Sequence, residues 1–591
     1  MGIVSTIQPA VSQALVKLFP SEIIKASDIV VNDTKPEFEG DYTVVLFSFV
    51  KSLKKSPEAL GNALGEELMR AQPEFFTAFN VIKGFLNLTI SDNYWKQFLY
   101  SNYSNAEYGK QASQQKKVMV EYSSPNTNKP LHLGHLRNNF LGWSISSIFK
   151  QNGYEVAKTC IANDRGIHIC KSMIAWQLFA NGATPKSTGS KGDHFVGDYY
   201  VQFGNELKKQ VEQLMNQGTT KEDAEKQAPI MKAAQQMLVD WEAGKPEVID
   251  LWKKMNSWVY AGFEETYKRI GSDFDKIYYE SDTYILGKEM VAKGLKKGVF
   301  EKEADGSVWI DLTADGLDRK IVQRSDGTAV YITQDIGLAE LKQKEFGSDL
   351  SIYVVGDEQN YHFKVLKLIC QKLDLPAASD IYHLSYGMVE LPSGRMKTRE
   401  GNVVDADDIV DEMESISAKH TEELGKVKDF TEEELKKLYH TIGMGALKFF
   451  LLRVDPKKRM VFNPEESIDF HGFTGPFIQY THARAKSILR KESPANSSSV
   501  EALLALEKKL IIELEKYGSV IIQASEEMNP SVIANYVFKV AQTFNSFVTE
   551  LRVLTADTAD KKELRLQLCM LTANTIKSAM GLLGIDVPER M

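Results

Sequence analysis

Two histidines three positions apart, His132 and His135, open a segment whose apolar residues recur at helical spacing. An apolar run at 118–120 precedes them, followed by a polar loop, so the order predicts strand, loop and helix. A helix N-terminus offers unpaired N–H groups and the positive end of the helix dipole, which favours an anion such as phosphate. Gly134 has no Cβ and lets a flat group lie against the backbone. The stretch suits a nucleotide, although a helix start with two solvated histidines also fits it.

A second group of residues could bind a cation. The sequence RSDGT at 324–328 is typical of a tight turn, and residues 329–333 predict a strand that leads to Asp335. Glu121 closes the first strand, so two carboxylates would meet at one sheet edge. With Tyr331 beside them, they could hold a planar guanidinium through two parallel hydrogen bonds. The alternative is that Asp335 caps the following helix.

Polar and basic residues follow two further predicted strands. Gly356 permits close approach of a ligand to the backbone, and the amide of Gln359 can hold an amino group or a ribose. The turn at 394–402 is rich in arginine and lysine, which suits a triphosphate. A basic turn is ordinarily just solvated, so this one gains meaning only together with the two histidines.

Changes of pattern divide the chain into three parts, at 1–112, 113–410 and 411–591. The middle part alternates helices with strands, predicted at 118–122, 155–161, 329–333, 351–355 and 381–386. This alternation predicts an α/β fold, a doubly wound parallel sheet of Rossmann-like type, with polar insertions near 181–240 and 288–318. The first part predicts a small α/β domain that ends in a strand at 81–90. The last part, where strands stop, predicts an α-helical bundle.

Composition bounds the class of protein. With 591 residues, 43% hydrophobic and 25% charged, the chain is typical of a globular protein with a large core. No apolar run approaches the ~18 residues that cross a bilayer, and four cysteines without a C-x-x-C pair indicate neither zinc nor disulfides. We therefore expect a cytoplasmic protein with no membrane partner. The net charge of −8 argues against indiscriminate DNA binding but allows a local basic face for one folded RNA.

These motifs resemble those of a known family. His132-Leu-Gly-His135 resembles the "HIGH" signature of class I aminoacyl-tRNA synthetases, and its surroundings resemble the arginyl-tRNA synthetase version. The segments at 323–336, 354–363 and 472–484 resemble further arginyl-tRNA synthetase segments, in the same order along the chain. The sequence RMKTR at 395–399 resembles the "KMSKS" loop, with arginine for the first lysine, lysine for the serine and threonine for the second lysine.

The resemblance implies a role for each matching residue. The catalytic set would be Lys129, His132, Gly134, His135, Arg395, Met396, Lys397, Thr398 and Arg399, with Lys129 replacing the missing second lysine. Arginine would be held by Glu121, Tyr331 and Asp335 at its guanidinium and by Asn126 and Gln359 at its α-amino group. ATP would contact Ser124, Lys129, His132, His135, Gly356 and Arg399.

Contacts with tRNA are implied at both ends of the chain. The residues are Phe85 and Asn87 for the tRNA elbow, and Phe477, Tyr480, Arg484 and Met591 for the anticodon. Phe477 stands where the family usually has tyrosine, which keeps a ring for stacking but loses a hydroxyl. The alternative for the first pair is that Phe85 belongs to the core and Asn87 caps a turn.

The implied reaction joins arginine to its tRNA in two steps. ATP activates arginine to arginyl-adenylate with release of pyrophosphate, and the terminal ribose of the tRNA then takes the arginyl group and releases AMP. Mg²⁺ would bridge the phosphates, and the chain itself carries no predicted metal site. The partners would be arginine tRNA, arginine and ATP, with no DNA and a monomeric enzyme.

Three alternatives remain open at this point. A cysteinyl or other class I synthetase would share both signatures, but it would lack the paired acids and would need zinc-ligand cysteines. A nucleotidyltransferase that makes small-molecule adenylates would also use His-x-Gly-His, but it would not need a helical bundle. A non-enzymatic RNA-binding relative is the third.

Overall fold

The computed structural model describes residues 2–328, 330–390, 392, 404–423, 429–495 and 502–591. The first elements form a small α/β domain with a mixed order of helices and strands. They are α1 (Val4–Leu18), β1 (Val31–Asp33), β2 (Tyr42–Val45), α2 (Phe47–Leu53), α3 (Pro57–Ala71), β3 (Phe76–Ile82), β4 (Phe85–Ile90) and α4 (Asp92–Asn102). The strands pair antiparallel in the order β1-β2-β4-β3.

The strand predicted at 81–90 is wrong, because the chain reverses within it. β3 and β4 form a hairpin whose two-residue turn is Lys83-Gly84, and both residues have positive φ, of 50° and 83°. Such a turn matches the right-handed twist of paired strands. Positive φ at a lysine is uncommon. The apolar/polar alternation continues across the turn, so the sequence pattern does not show that the chain reverses there.

The middle of the molecule is a parallel sheet in the order β12-β11-β5-β6-β7. Its strands are β5 (Lys117–Glu121), β6 (Glu155–Ala162), β7 (Lys276–Tyr279), β11 (Leu350–Gly356) and β12 (Ile381–Tyr386). The order reverses between β5 and β11, and in open sheets of this kind the ligand crevice lies at that reversal, outside the carboxyl ends of the strands. Val118 and Val120 of β5 pack on one side of the sheet and Met119 on the other.

Helices connect these strands; the first of them packs on β5, β6 and β11, and others pack on neighbouring helices. They are α5 (Leu133–Gln151), α6 (Ile167–Phe179), α7 (Pro185–Thr188), α8 (Gly192–Asn216), α9 (Lys221–Gln227), α10 (Pro229–Glu242), α11 (Pro246–Ile270), α12 (Glu280–Thr283), α13 (Leu286–Lys296), α14 (Tyr331–Phe346) and α15 (Asn360–Lys372). Between α13 and α14, the strands β8 (Glu301–Lys302), β9 (Val308–Ile310) and β10 (Lys320–Gln323) pair antiparallel.

The strand predicted at 329–333 is also wrong, since α14 begins at Tyr331. β-branched residues made this run resemble a strand, but Thr333, Ile336 and Gly337 are buried on one helical face. The hydroxyl of Thr333 donates to the carbonyl of Val322, and Gly337 lies directly against Leu286 of α13. Tertiary packing therefore overrides the local preference.

The last part of the chain is helical. Its elements are α16 (Ala406–Glu423), α17 (Glu432–Leu452), α18 (Pro464–Ser467), α19 (Gly475–Leu489), α20 (Ala505–Glu515), α21 (Tyr517–Glu526), α22 (Ser531–Glu550) and α23 (Ala559–Leu582). The strands do not stop at 410, because β14 (Met460–Val461) pairs with β13 (Val389–Glu390). The predicted fold class is confirmed; the exact domain boundaries stay predictions.

Candidate active site

The His-Leu-Gly-His turn is built into the first turn of α5. His132 is the N-cap, and its Nδ1 accepts the backbone N–H of Gly134 at 3.1 Å. The Nδ1 of His135 accepts the backbone N–H of His132, also at 3.1 Å, and the ring centroids lie 4.0 Å apart. Because Nδ1 accepts in both rings, a neutral ring carries its proton on Nε2. Each ring therefore presents an N–H donor away from the backbone.

Gly134 leaves little space for a side chain beside the ring of His132. A Cβ at this position would lie 3.0 Å from Cε1 of His132, so the ring would have to shift by a few tenths of an ångström. Lys129 lies half-buried on the same loop, and burial lowers the pKa of its ammonium. Ser124 adopts a left-handed backbone conformation with φ of 47°, and Asn126 is exposed and pairs with Asn163.

Both imidazoles of the histidine turn are held neutral. Burial, with a smaller contribution from the charge of Lys129, lowers the pKa of His132 to about 4, although Asp405 acts in the opposite direction. Burial also lowers the pKa of His135 well below its usual value. At neutral pH the two rings are therefore uncharged hydrogen-bond donors, not cations.

A side-chain NMR titration checks this protonation state. We expect the ring of His132 to stay neutral from pH 8 down to about pH 4, because its pKa is about 4. The unfolded chain takes up this proton near pH 6.5, so this histidine lowers the free energy of unfolding as the pH falls from about 6.5 to 4. His194 is the internal control: hydrogen bonds to Asp405 and Asp407 raise its pKa to about 10, so it is protonated at pH 7. A midpoint near 6.5 for His132 contradicts the prediction.

Asp335 lies in the second turn of α14 and not at a strand end. Its Oδ2 lies 2.7 Å from Nε2 of His362, which comes from the start of α15. Tyr331 is 73% exposed and precedes Asp335 by one helical turn, so the two side chains share a face. Tyr331 and Asp335 are therefore neighbours on the helix, although the sequence pattern predicts a strand there.

Glu121 is buried and forms an ion pair with the ammonium of Lys342 from α14. The Nζ of Lys342 also lies 5.1 Å from the ring centroid of Tyr353 and 5.5 Å from that of Tyr278. Lys342 follows Asp335 by seven residues and so lies on the same face of α14. Sequence reasoning missed this pairing, because 221 residues separate the two side chains in the chain.

A cavity of about 490 Å³ opens at the start of α14. Tyr331 and Gln334 of α14, Glu280, and the basic residues Arg165 and Lys288 line it. Burial, opposed by Arg165 and reinforced by Asp164 and Asp335, raises the pKa of Glu280 to about 7. Sequence reasoning also missed Glu280, although it follows β7 directly at the carboxyl edge of the sheet.

The end of β11 lies beside β5 at the reversal of strand order. Gly356 ends β11, and a Cβ there would collide with the carboxylate of Glu358 at 2.5 Å. Gln359 is exposed just beyond it. The sheet therefore brings the loops that carry Ser124, Asn126 and the two histidines to the same edge as Gly356 and Gln359.

The basic signature at Arg395, Met396, Lys397, Thr398 and Arg399 lies outside the described residues. The segment that follows it is described, and it bonds directly to the histidine turn. The N–H of Ala406 donates to the carbonyl of Leu131 at 3.0 Å, and the N–H of Leu133 donates to the carbonyl of Val404 at 3.3 Å. His132 and Asp405 thus form an antiparallel bridge. The described segment just after the basic signature therefore pairs with the histidine turn, although more than 250 residues separate the two in the sequence.

The two residues predicted to contact the tRNA elbow differ in exposure. Phe85 is half-buried and packs edge to face on the exposed ring of Phe47, with centroids 5.4 Å apart. Asn87 is fully buried: its Oδ1 accepts from Thr43 at 2.6 Å and its Nδ2 donates to Asn80 at 2.7 Å. The prediction that Asn87 reads a base edge is therefore wrong for this conformation, because its amide faces the sheet interior.

The residues predicted to bind the anticodon lie on α19 and at the chain end. Tyr480 and Arg484 are half-buried, and Arg484 donates to Asn545 at 3.0 Å. Phe477 packs on Phe538, with centroids 5.3 Å apart. The tail that ends at half-buried Met591 is held on α19 by side chains that bond its backbone: Gln479 to Asp586, His482 to Pro588 and Arg490 to Glu589.

Among the described residues, one cluster has metal-ligand spacing. Asp193, His194 and Asp407 offer ligand atoms within 4.8 Å of one another. The ammonium of Lys191 bonds both carboxylates, at 3.0 Å and 2.7 Å, so a cation is already in place. Mg²⁺ also prefers oxygen ligands to imidazole, and this cluster does not fit it. Within the described ranges, no helix combines the length and apolar character that crossing a bilayer needs.

Comparison with known proteins agrees with this geometry. Residues 99–463 match the family model of the class I tRNA synthetase (R) catalytic domain, residues 478–591 match the DALR anticodon binding domain, and residues 5–90 match the arginyl tRNA synthetase N terminal domain. The chain is 54% identical to an arginine–tRNA ligase of Flavobacterium psychrophilum, with 100% of both chains covered. It is 51% identical to one of Bacteroides fragilis, with 96% of each covered.

The fold is similar to that of solved structures as well. An arginyl-tRNA synthetase of Thermus thermophilus superposes with a TM-score of 0.80 and 24% identity over 100% of both chains. The fold, the histidine turn at the start of α5 and the matching catalytic-domain model define a class I aminoacyl-tRNA synthetase. Within that class, the chain belongs to the arginyl-tRNA synthetase family, the ATP-dependent arginine–tRNA ligases. The predicted family, ligase activity and use of ATP are confirmed.

Proposed function

We propose that the crevice at the reversal of strand order is where arginine and ATP react. The observation that supports this proposal is the backbone pairing of residues 404–406 with residues 131–133, because it brings the segment that follows the basic signature against the histidine turn. In the first step the arginine carboxylate attacks the α-phosphorus of ATP, a P–O bond forms, and pyrophosphate leaves with the electrons of the broken P–O bond. Positioning and hydrogen bonding to phosphate oxygens supply most of the acceleration in such a reaction.

The neutral imidazoles of His132 and His135 donate from Nε2 to phosphate oxygens. Lys129, Arg395, Lys397 and Arg399 add positive charge around the β and γ phosphates, with Met396 and Thr398 between them in the same loop. Ser124 and Gly356 lie next to the nucleotide. Gly356 has no Cβ, so a ligand can approach its backbone closely. Mg²⁺ binds together with ATP as the counter-ion of its phosphates, as is usual for Mg²⁺ at nucleotide sites.

Arginine binds with its guanidinium toward Asp335 and its α-amino group toward Asn126 and Gln359. Asp335 accepts two parallel hydrogen bonds while Tyr331 packs on the guanidinium plane. Glu121 keeps its bond to Lys342 and contributes its second oxygen. Lysine would leave the forked acceptor geometry half used, so the pocket rejects it without an editing step.

In the second step a hydroxyl of the terminal ribose attacks the adenylate carbonyl and AMP leaves. The cavity at the start of α14 has room for this chain end, and its basic residues Arg165, Lys288 and Arg324 are balanced by the acids Glu242, Glu280 and Asp326. The first 112 residues bind the tRNA elbow, residues 113–410 catalyse, and residues 411–591 bind the anticodon through Phe477, Tyr480, Arg484 and Met591.

The enzyme acts as a monomer, without DNA, in the cytoplasm. The four buried free thiols support a reducing compartment.

Replacement of Phe85 by leucine tests the tRNA contact. Loss of one ring that stacks on a base costs about 1–3 kcal/mol, so we expect the KM for tRNA to rise about tenfold, with the KM values for ATP and arginine unchanged at saturating tRNA. Ile23→Ala is the control, because Ile23 is 91% exposed in the same domain. An unchanged KM for tRNA together with a lowered Tm would show that Phe85 only packs on Phe47.

A further inference from the structure

Two cations at the start of α8 hold the segment that follows the basic signature. Lys191 donates to Asp407 at 2.7 Å, to Asp193 at 3.0 Å and to the hydroxyl of Thr266 at 2.5 Å. His194 lies 3.1 Å from Asp407 and 3.2 Å from Asp405 through the same Nε2. More than 200 residues separate these cations from Asp405 and Asp407 in the sequence, so the cluster ties the helical segment α6–α11 to the start of α16.

Most of the cluster is shielded from water, and the charge on Asp407 is stabilised by its neighbours. The side chains of Lys191 and Asp407 are 17% and 14% exposed, and Asp193 is fully buried. Burial acts to raise the pKa of Asp407, but hydrogen bonds from His194 and Lys191 outweigh it and hold that pKa well below its usual range. Buried ion pairs are weak evidence for stability, because desolvation offsets much of their attraction. What such a network does supply is a defined geometry.

Residues 404–406 connect this cluster to the histidine turn. Asp405 is the bridge partner of His132, and its neighbours Val404 and Ala406 are bonded to Leu133 and Leu131. One side of residues 404–407 therefore contacts the cations of α8, and the other side contacts the backbone around His132. Since His132 is the N-cap of α5, the direction of its Nε2 depends on where this backbone lies.

We infer that Lys191 and His194 are positioning residues for the adenylation step: through Asp405 and Asp407 they fix residues 404–406 against residues 131–133, and so fix the donor of His132. This inference rests on the proposed role of His132 at the phosphates. A displacement of a catalytic group by about 1 Å can cost on the order of a hundredfold in rate, which sets the scale of the effect.

A double-mutant cycle tests the inference. Lys191→Met and, separately, His194→Gln should lower kcat about tenfold to a hundredfold, with the KM values for arginine and tRNA within about twofold. In a His132→Asn background the same changes should cost less than about threefold, because the donor that they position is already missing. Lys245→Met is the control, since Lys245 forms a surface ion pair with Asp240 in the same helical segment.

The outcomes separate this inference from the proposed function. If His132→Asn leaves kcat unchanged, the role of His132 fails and the inference fails with it. If His132→Asn lowers kcat but Lys191→Met and His194→Gln cost the same in both backgrounds, the inference alone is overturned. Lys191→Arg, which keeps the charge, should recover most of the activity, and it covers the case in which the methionine variant folds poorly.

Discussion

Asp335→Asn raises the KM for arginine about a hundredfold and leaves the KM for ATP within about twofold. The substitution keeps the size of the side chain but removes its charge and replaces one acceptor oxygen with an N–H₂ donor that faces the guanidinium. Truncating one partner of a buried, hydrogen-bonded charge pair costs about 2–5 kcal/mol, which corresponds to a factor on the order of a hundred or more. Steady-state kinetics with arginine and ATP varied in turn measures the effect.

Glu340→Gln is the matched control for this variant. Glu340 lies on the same helix and pairs with Lys293 at 2.6 Å, away from His362. Its replacement removes a charge from α14 without touching the proposed guanidinium site, so the KM for arginine should stay unchanged. If Asp335→Asn and Glu340→Gln gave the same kinetics, Asp335 would be a structural partner of His362 and not an arginine ligand.

His135→Asn lowers the kcat for aminoacylation by about a hundredfold to a thousandfold, while the Kd for tRNA stays within about twofold. The asparagine oxygen stands close to the position of Nδ1 and continues to accept the N–H of His132, so the helix start is preserved. The donor at Nε2 is lost. Removing one preorganised donor to a developing anion typically costs 10²–10³ in kcat.

His440→Asn is the corresponding control, because His440 pairs with Glu414 in the helical bundle, at 2.8 Å. This variant should keep the kcat of the unaltered enzyme. Single-turnover formation of the adenylate and a tRNA-binding titration together locate the defect of His135→Asn. A loss of tRNA affinity in proportion to the loss of kcat would mean that His135 supports the fold of the site and does not act on phosphate.

The order of elements around the site could be predicted because it depends on local patterns. A buried strand, a polar loop with Gly134 and a helix start each have a signature within about 20 residues, and β5, β11 and β12 were found in this way. The run at 329–333 shows the limit of local patterns. Its β-branched residues favour a strand, but burial of Thr333 and Ile336 against neighbouring elements made it the start of α14.

The chemistry that the residue types allow was determined by the sequence itself: imidazoles and glycine at a helix start for phosphate, and acids near a tyrosine for a guanidinium. Only the tertiary structure decided which partner each group has. Glu121 meets Lys342 across 221 residues, and Asp335 meets His362. Distant segments bury both His132 and Asn87, and the resulting desolvation keeps the ring of His132 neutral. Spacing along the chain indicates which residues share a helix or strand face. Packing between elements determines how exposed each group is to solvent, which charges lie near it and which hydrogen-bond partners it has, and these factors set its pKa.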